Sequence, residues 1–209
     1  MKKLIFDTKE FEFPFIARVP DEMKENLPII FQLHGAGERG MGGDELWKTE
    51  VHGLSHVFGD DKNYDCILIE PQCPTDSFWV ARIQEIGSFV DKVNAYFKAD
   101  LKKVYLTGLS MGGFGTWYTA MEFPGKFAAI VPICGGGMPW NAGVLKMPVW
   151  AFHGMEDDVV LPSNTIDMVN AIKKAGGKVK MSLFEDVGHG VWVNAYNDEL
   201  VDWMLNNSI

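Results

Sequence analysis

The chain has 209 residues and a formal net charge of −9, with 47% hydrophobic and 22% charged residues. Those proportions describe a globular chain able to bury a sizeable core, and the length suits one domain over residues 1–209 better than two. An acidic balance without a Lys/Arg cluster argues against nucleic acid or an anionic membrane surface as partner, and no apolar run approaches the length of a membrane span.

Taken from the start, Met1 to Asp7 carries only three apolar residues after its two lysines, too few for a signal-peptide core. Phe11, Phe13 and Phe15 alternate with other residues, so 11–19 reads as an edge strand or hairpin. Leu27 to Leu33 is a continuous apolar run ending at His34-Gly35-Ala36-Gly37, the pattern of a buried parallel strand that opens into a loop. Residues 36–63 form a long Gly- and charge-rich segment, with Leu46, Trp47, Val51 and Leu54 spaced for one short amphipathic helix. Cys66 to Pro71 is a second buried strand stopped by proline. Ile83, Ile86, Phe89, Val90, Val93 and Phe97 fall at helical spacing and predict a helix over 82–98. A strand over 104–107 leads into Gly108-Leu109-Ser110-Met111-Gly112, followed by a helix to about Phe123 and its stop before Pro124. Strands follow at 127–133 and 148–154, then a helix at 164–175 ended by Gly176-Gly177, a strand at 178–184 and a closing helix at 196–205. This alternation predicts an α/β fold with a mostly parallel sheet, whose function gathers at the carboxyl ends of its strands.

The three cysteines, Cys66, Cys73 and Cys134, are odd in number and lack metal-ligand spacing. They read as free, mostly buried thiols of a reducing compartment, which makes a cytoplasmic location the expectation. Neither a metal nor a cofactor is expected.

The serine at the corner of a strand–turn–helix, with glycine two places either side, has the nucleophile-elbow pattern: the corner residue is strained and its neighbours must be very small. A serine hydroxyl needs a base within hydrogen-bond reach, and the base needs an acid to hold its tautomer. After Ser110 the chain offers Glu156, Asp157 and Asp158 past one strand end, of which Asp157 is favoured and Asp158 is the runner-up. His189, in a glycine loop after the last strand, is the histidine in the required order Ser, Asp, His. His34 and His153 each precede a glycine at a strand end and read as turn-shaping residues, while His52 and His56 read as surface residues. An oxyanion hole is expected from the backbone N–H of Met111 and a second N–H at Ala36 or Gly37.

With these residues in place, the chain resembles the α/β-hydrolase superfamily and, within it, the lid-less serine esterases that include carboxylesterase, dienelactone-hydrolase-like, polyhydroxybutyrate-depolymerase-like and feruloyl-esterase-like proteins and the bacterial predicted peptidases and esterases. The matching stretches are Leu33 to Gly40, Pro71 to Pro74, Thr107 to Gly113, Val131 to Gly137, Trp150 to Val160 and Asp186 to Trp192. Dienelactone hydrolases proper use a cysteine nucleophile, from which Ser110 departs.

The resemblance implies a serine carboxylesterase acting on short-chain acyl or aryl esters through an acyl-enzyme. A peptidase or acyl-thioesterase with the same triad is the alternative, and a non-catalytic binding protein stands behind both. About a dozen residues separate Cys134 from Pro148, leaving no room for a lid, so an open, shallow site is expected. Trp79 resembles family positions that line the pocket, Trp192 and Trp140 lie near predicted strand ends, and Gln72 either orients a loop or touches substrate. The expected partner is a small-molecule or carbohydrate-linked ester, and a homodimer is compatible with the chain.

Overall fold

The structure, a computed structural model, describes residues 1–59 and 62–209. Eight strands form one sheet: β1 (Lys2–Phe6), β2 (Phe15–Val19), β3 (Ile29–Leu33), β4 (Ile67–Pro71), β5 (Val104–Leu109), β6 (Ala129–Ile133), β7 (Val149–Gly154) and β8 (Val179–Phe184). Their spatial order is β1-β2-β4-β3-β5-β6-β7-β8. β2 pairs antiparallel with both β1 and β4, and every other pair is parallel, so the α/β reading holds with one antiparallel strand, β2, next to the edge. β3 to β7 are buried along their whole length, as strands covered on both faces must be.

The helices are α1 (Leu54–Phe58), α2 (Ile83–Phe97), α3 (Met111–Glu122), α4 (Ser163–Lys174), α5 (Trp192–Ala195) and α6 (Asp198–Leu205). One face of the sheet packs α2, α3 and α4 through Phe89, Val93, Trp117 and Met168. The other packs α1, α5 and α6 through Leu54, Phe58, Ala195, Val201 and Met204. Asn197 caps α6 by accepting the Leu200 N–H at 2.9 Å.

Two elements differ from the sequence reading. The edge strand is β1, not 11–19: only Phe15–Val19 is strand, and it lies inside the sheet between β1 and β4. Phe11 and Phe13 turn into an aromatic cluster with Phe6, Phe15 and Phe89 instead of pairing. The amphipathic helix predicted around Leu46 to Leu54 is two pieces, a 3-10 segment at Gly43–Glu50 and α1, with Trp47 exposed. The part of the 36–63 segment at residues 60 and 61 lies outside the described residues. A 3-10 segment, Pro139–Val144, occupies the connection between β6 and β7, and no lid domain stands among the described residues. No helix among them is long and apolar enough to cross a membrane.

A buried polar layer holds the 43–58 segment on the sheet. Gln32, on β3, accepts the Leu54 N–H with Oε1 and donates from Nε2 to the His52 carbonyl at 3.1 Å. The same nitrogen lies 3.4 Å from Oε1 of Glu70, a fully buried carboxyl on β4 that faces Arg18 Nε at 3.9 Å. Arg18 donates to Glu50 Oε1 at 2.6 Å, and Lys3 pairs with the same carboxylate. Burial pushes the Glu70 carboxyl up to about 8; nearby Glu50 adds to this, and Arg18 only partly opposes it.

A group whose folded-state pKa is raised contributes stability that is full below the unfolded value and is lost as pH rises through the folded one. Glu70→Gln, which keeps the shape without the charge, is therefore expected to gain on the native chain between pH about 4.5 and 8, with a limiting slope of about 1.4 kcal/mol per pH unit. Urea unfolding of both proteins across that range measures the difference; a gap independent of pH would show that Glu70 is ionised throughout.

Candidate active site

The register of the parallel strands brings four chain exits to one end of the sheet. Leu33 of β3 stands beside Gly108 of β5, Leu109 of β5 beside Ile133 of β6, and Gly154 of β7 beside Phe184 of β8. The segments that follow therefore carry Ala36, Ser110, Asp157 and His189 to neighbouring positions. The Ser110 N–H donates to Ile133 O at 2.9 Å, and the backbone then turns through φ 53° and ψ −116° into α3. That left-handed φ is strained for a residue with a side chain, and it lifts the serine out of the ladder.

The turn is possible because Gly112 carries no side chain: a Cβ there would overlap the carbonyl oxygen of Leu33. The same constraint operates at Gly154, where a Cβ would run into the carbonyls of Val187 and Gly188, the residues that carry His189. Across that narrow gap the Glu156 N–H donates to Val187 O at 3.0 Å, joining the loop after β7 to the loop after β8.

The result is a hydrogen-bonded chain. His189 Nε2 lies 2.8 Å from Ser110 Oγ, and His189 Nδ1 lies 2.8 Å from Asp157 Oδ2. Asp157 also accepts the Val159 and Val160 N–H groups at 3.0 and 2.9 Å through Oδ1. Burial by itself would raise the Asp157 carboxyl, but the hydrogen bonds from His189 and from these two amides outweigh it and hold the group below the usual carboxylate value. Asp158 and Glu156 are exposed. The geometry thus separates the three adjacent acids, with Asp157 turned to the histidine.

Met111 is the first residue of α3, so its N–H is among those left without an intrahelical acceptor and points out of the helix start. Ala36 opens a 3-10 turn, Ala36–Glu38, beside the exit of β5; Ala36 and Gly37 are exposed and Glu38 is buried. His34 fixes that turn. Its Nε2 accepts the Cys73 N–H at 2.9 Å, so its Nδ1–H donates to Gly35 O at 2.6 Å. Burial depresses the ring to about 4, which keeps this single tautomer through neutral pH. Arg39 ties the same turn outward, donating from Nε to Ala36 O at 2.9 Å and from Nη1 to the carbonyls of Thr75 and Ser77 at 3.3 Å each.

Two residues expected at the substrate site are fully buried beneath the loops. Trp79 is fully buried, and its indole N–H donates to His34 O at 2.9 Å, so it supports the Ala36 turn from beneath. Gln72 is fully buried as well, accepting the Gly42 N–H at 2.9 Å and donating to the carbonyls of Glu38 and Glu45 at 3.1 and 3.0 Å; it orients the loop. Trp140 is 84% exposed with no aromatic partner among the described residues. Trp192 stands at the site: its ring meets His189 edge-on at 5.4 Å and faces His52 at 5.1 Å, which leaves His52 half-buried and not free on the surface.

His153, read from the sequence as a turn-shaping residue, also reaches Asp157. Its Nε2 is 2.8 Å from Val160 O and 3.1 Å from Asp157 Oδ2, so it braces the acid that faces His189. The i,i+4 spacing of His153 and Asp157 is the signal that points to it. Cys134, Asp157 and His189 bring potential metal-ligand atoms within 4.8 Å of one another. Burial pushes the Cys134 thiol up to about 12, so at neutral pH it is a neutral S–H, a poor metal ligand and a poor nucleophile.

The sheet order, the strained serine and the Ser–His–Asp contacts define a protein of α/β-hydrolase architecture. Within that class the chain belongs to the Dienelactone hydrolase family, which matches residues 76–201. It is 27% identical over 148 residues to a bifunctional acetylxylan esterase/xylanase of Neocallimastix patriciarum, covering 68% of this chain and 21% of that protein. It is 31% identical over 140 residues to a poly(3-hydroxyalkanoate) depolymerase C of Paucimonas lemoignei, covering 63% of this chain and 33% of that one. The chain thus spans a fifth to a third of the length of these relatives. A solved thermostable esterase superposes with a TM-score of 0.77 at 30% identity, over 100% of this chain and 63% of its own.

The Gly112 constraint is testable by stability alone. Gly112→Ala forces a methyl group against backbone that cannot yield, and a loss of more than about 3 kcal/mol is expected. Gly143→Ala, whose Cβ would meet only Ala175 Cβ at 3.9 Å, is expected to stay within about 0.5 kcal/mol. Equal unfolding midpoints for the two variants would contradict the close passage at the elbow.

Proposed function

We propose that this chain is a serine carboxylic ester hydrolase in which Ser110, His189 and Asp157 form the catalytic triad and the Met111 and Ala36 N–H groups form the oxyanion hole. The observation that carries the proposal is the position of His189, 2.8 Å from both the serine oxygen and the aspartate oxygen. Membership of a hydrolase family and the esterases among the similar proteins support the same reaction class.

In this reading His189 Nε2 takes the proton as Ser110 Oγ attacks the ester carbonyl carbon. Negative charge builds on the carbonyl oxygen, where two backbone N–H groups and the N-terminus of α3 stabilise it. Asp157, ionised at neutral pH, holds the His189 tautomer and stabilises the imidazolium. His189 then protonates the leaving alcohol, the acyl group stays on Ser110, and a water activated by the same imidazole releases it. The substrate reading is a short acyl or aryl ester, with a carbohydrate as one alcohol component. The acetylxylan esterase similarity supports that component, and the Trp192 ring beside His189 offers it a stacking face.

Hydrolysis of p-nitrophenyl acetate, butyrate and octanoate beside a peptide amide tests this. Ser110→Ala and Asp157→Asn are each expected to lower kcat by on the order of 10⁴-fold or more without changing the unfolding midpoint by more than a few degrees. Wild-type rates in Ser110→Ala would remove the triad, and a peptide amide cleaved faster than any ester would make the protein a peptidase.

A further inference from the structure

Two hollows lie on opposite faces of the sheet, one lined by Trp192, which packs against His189, and the other by Met111, the residue that follows Ser110. One, of about 340 Å³, lies on the α1/α5 face and is lined by His52, Trp192 and Val193 among others. The other, of about 410 Å³, lies on the α3 face and is lined by Phe78, Val80, Met111, Phe114 and Tyr118. They share no residue. Met111, Phe114 and Tyr118 fall at i, i+3 and i+7 of α3 and so make one stripe along its surface, and Phe78 and Val80 supply the facing wall from the chain after β4.

From this arrangement we propose that the second hollow is the acyl pocket and that it takes an acyl group ending in an aromatic ring. The proposal rests on the hydrolase reading above, in which a single imidazole both accepts the serine proton and protonates the leaving oxygen. The alcohol half of the ester must lie within reach of His189 Nε2 when the C–O bond breaks, and His189 packs edge-on against Trp192 on the side of the first hollow. The acyl half, which stays bonded to Ser110 Oγ, is directed to the other side, where Met111 follows the serine.

The lining identifies the ligand chemistry. Three of its five residues are aromatic, none is charged, and the remaining two are Val80 and Met111. Phe78 and Val80 are 51% and 42% exposed, apolar surface left uncovered in the same hollow as Met111. A ring laid between Phe78, Phe114 and Tyr118 has edge-to-face and offset partners available at once. The Tyr118 hydroxyl makes no hydrogen bond among the described residues, so a polar substituent on that ring finds a partner at the far end of the stripe. The Phe78 wall is fixed: the Arg39 guanidinium lies over its ring at 4.9 Å while holding the Ala36, Thr75 and Ser77 carbonyls. Arg39 thereby links the pocket wall to the turn that carries the second oxyanion donor.

The test compares p-nitrophenyl 3-phenylpropanoate with p-nitrophenyl acetate in the wild type, in Val80→Trp, which fills the hollow from an exposed position, and in Phe114→Ala. The ratio of kcat/KM for the arylacyl ester to that for the acetate is expected to fall about tenfold or more in each variant. The same fall is expected when p-nitrophenol is replaced by 4-methylumbelliferone as the leaving group, since the acyl half is unchanged. A ratio that does not move, or one that follows the leaving group, overturns the assignment. Binding of 3-phenylpropanoate to Ser110→Ala, abolished by adding Val80→Trp, reads the pocket without turnover. Retention of that binding in the double variant also overturns the proposal, whereas wild-type turnover in Ser110→Ala overturns the triad instead.

Discussion

The site depends on backbones that pass one another too closely for a side chain. Leu33 O presses on Gly112, and Val187 O and Gly188 O press on Gly154. At the first crossing the end of β3 meets the start of α3, which sets Ala36 beside the serine. At the second the loops after β7 and β8 meet, which sets Asp157 beside His189. Parallel strands supply a common end, but strands about 4.8 Å apart do not by themselves bring side chains from β5, β7 and β8 into hydrogen-bond contact. The glycines close that remaining distance, and the cost is a strained serine held at φ 53°.

Much of this is legible in the amino-acid order. Apolar runs of five or six residues mark β3 to β7, because strands buried on both faces need no alternation. The glycines around Ser110 announce a turn where only small residues fit. The choice of Asp157 among three adjacent acids is less legible, since one step along an irregular loop reverses which carboxyl points inward; burial and the two loop amides decide it here. The direction of large side chains is the least legible. Trp79 and Phe78 are neighbours with opposite fates, one fully buried under His34 and the other half exposed at a pocket wall. Nothing in their order distinguishes a tryptophan that supports a turn from one that lines a cleft. Gln72 is equally ambiguous until the carbonyls of Glu38 and Glu45 appear around its amide.

Polar groups buried beneath the site act as fasteners more than as chemistry. Gln72 and Gln32 direct their amides to main-chain groups of the 36–58 segment, which has little regular structure with which to satisfy itself, and His34 bonds the main chain of Gly35, where that segment begins, and of Cys73. Segments of this kind are mobile unless tied down. Side-chain amides and a neutral imidazole tie this one without adding charge of their own, while Glu70, a fully buried carboxyl beneath it, is driven toward its neutral form. His153 follows the same logic on the other flank, as a neutral ring bracing Asp157.

The margin of the sheet carries a different consequence. β1 is exposed along nearly its whole length, and its outer side presents main-chain groups to which a strand from another molecule could add. Ile5, 66% exposed, would favour such an addition. Lys2 and Lys3 oppose it, with Lys2 anchored to Asp21 O at 2.8 Å and Lys3 to Glu50. Cations at an open strand edge make runaway sheet extension, the first step toward aggregation, unfavourable. The two lysines that open β1 are therefore what lets it stand safely at the sheet's border.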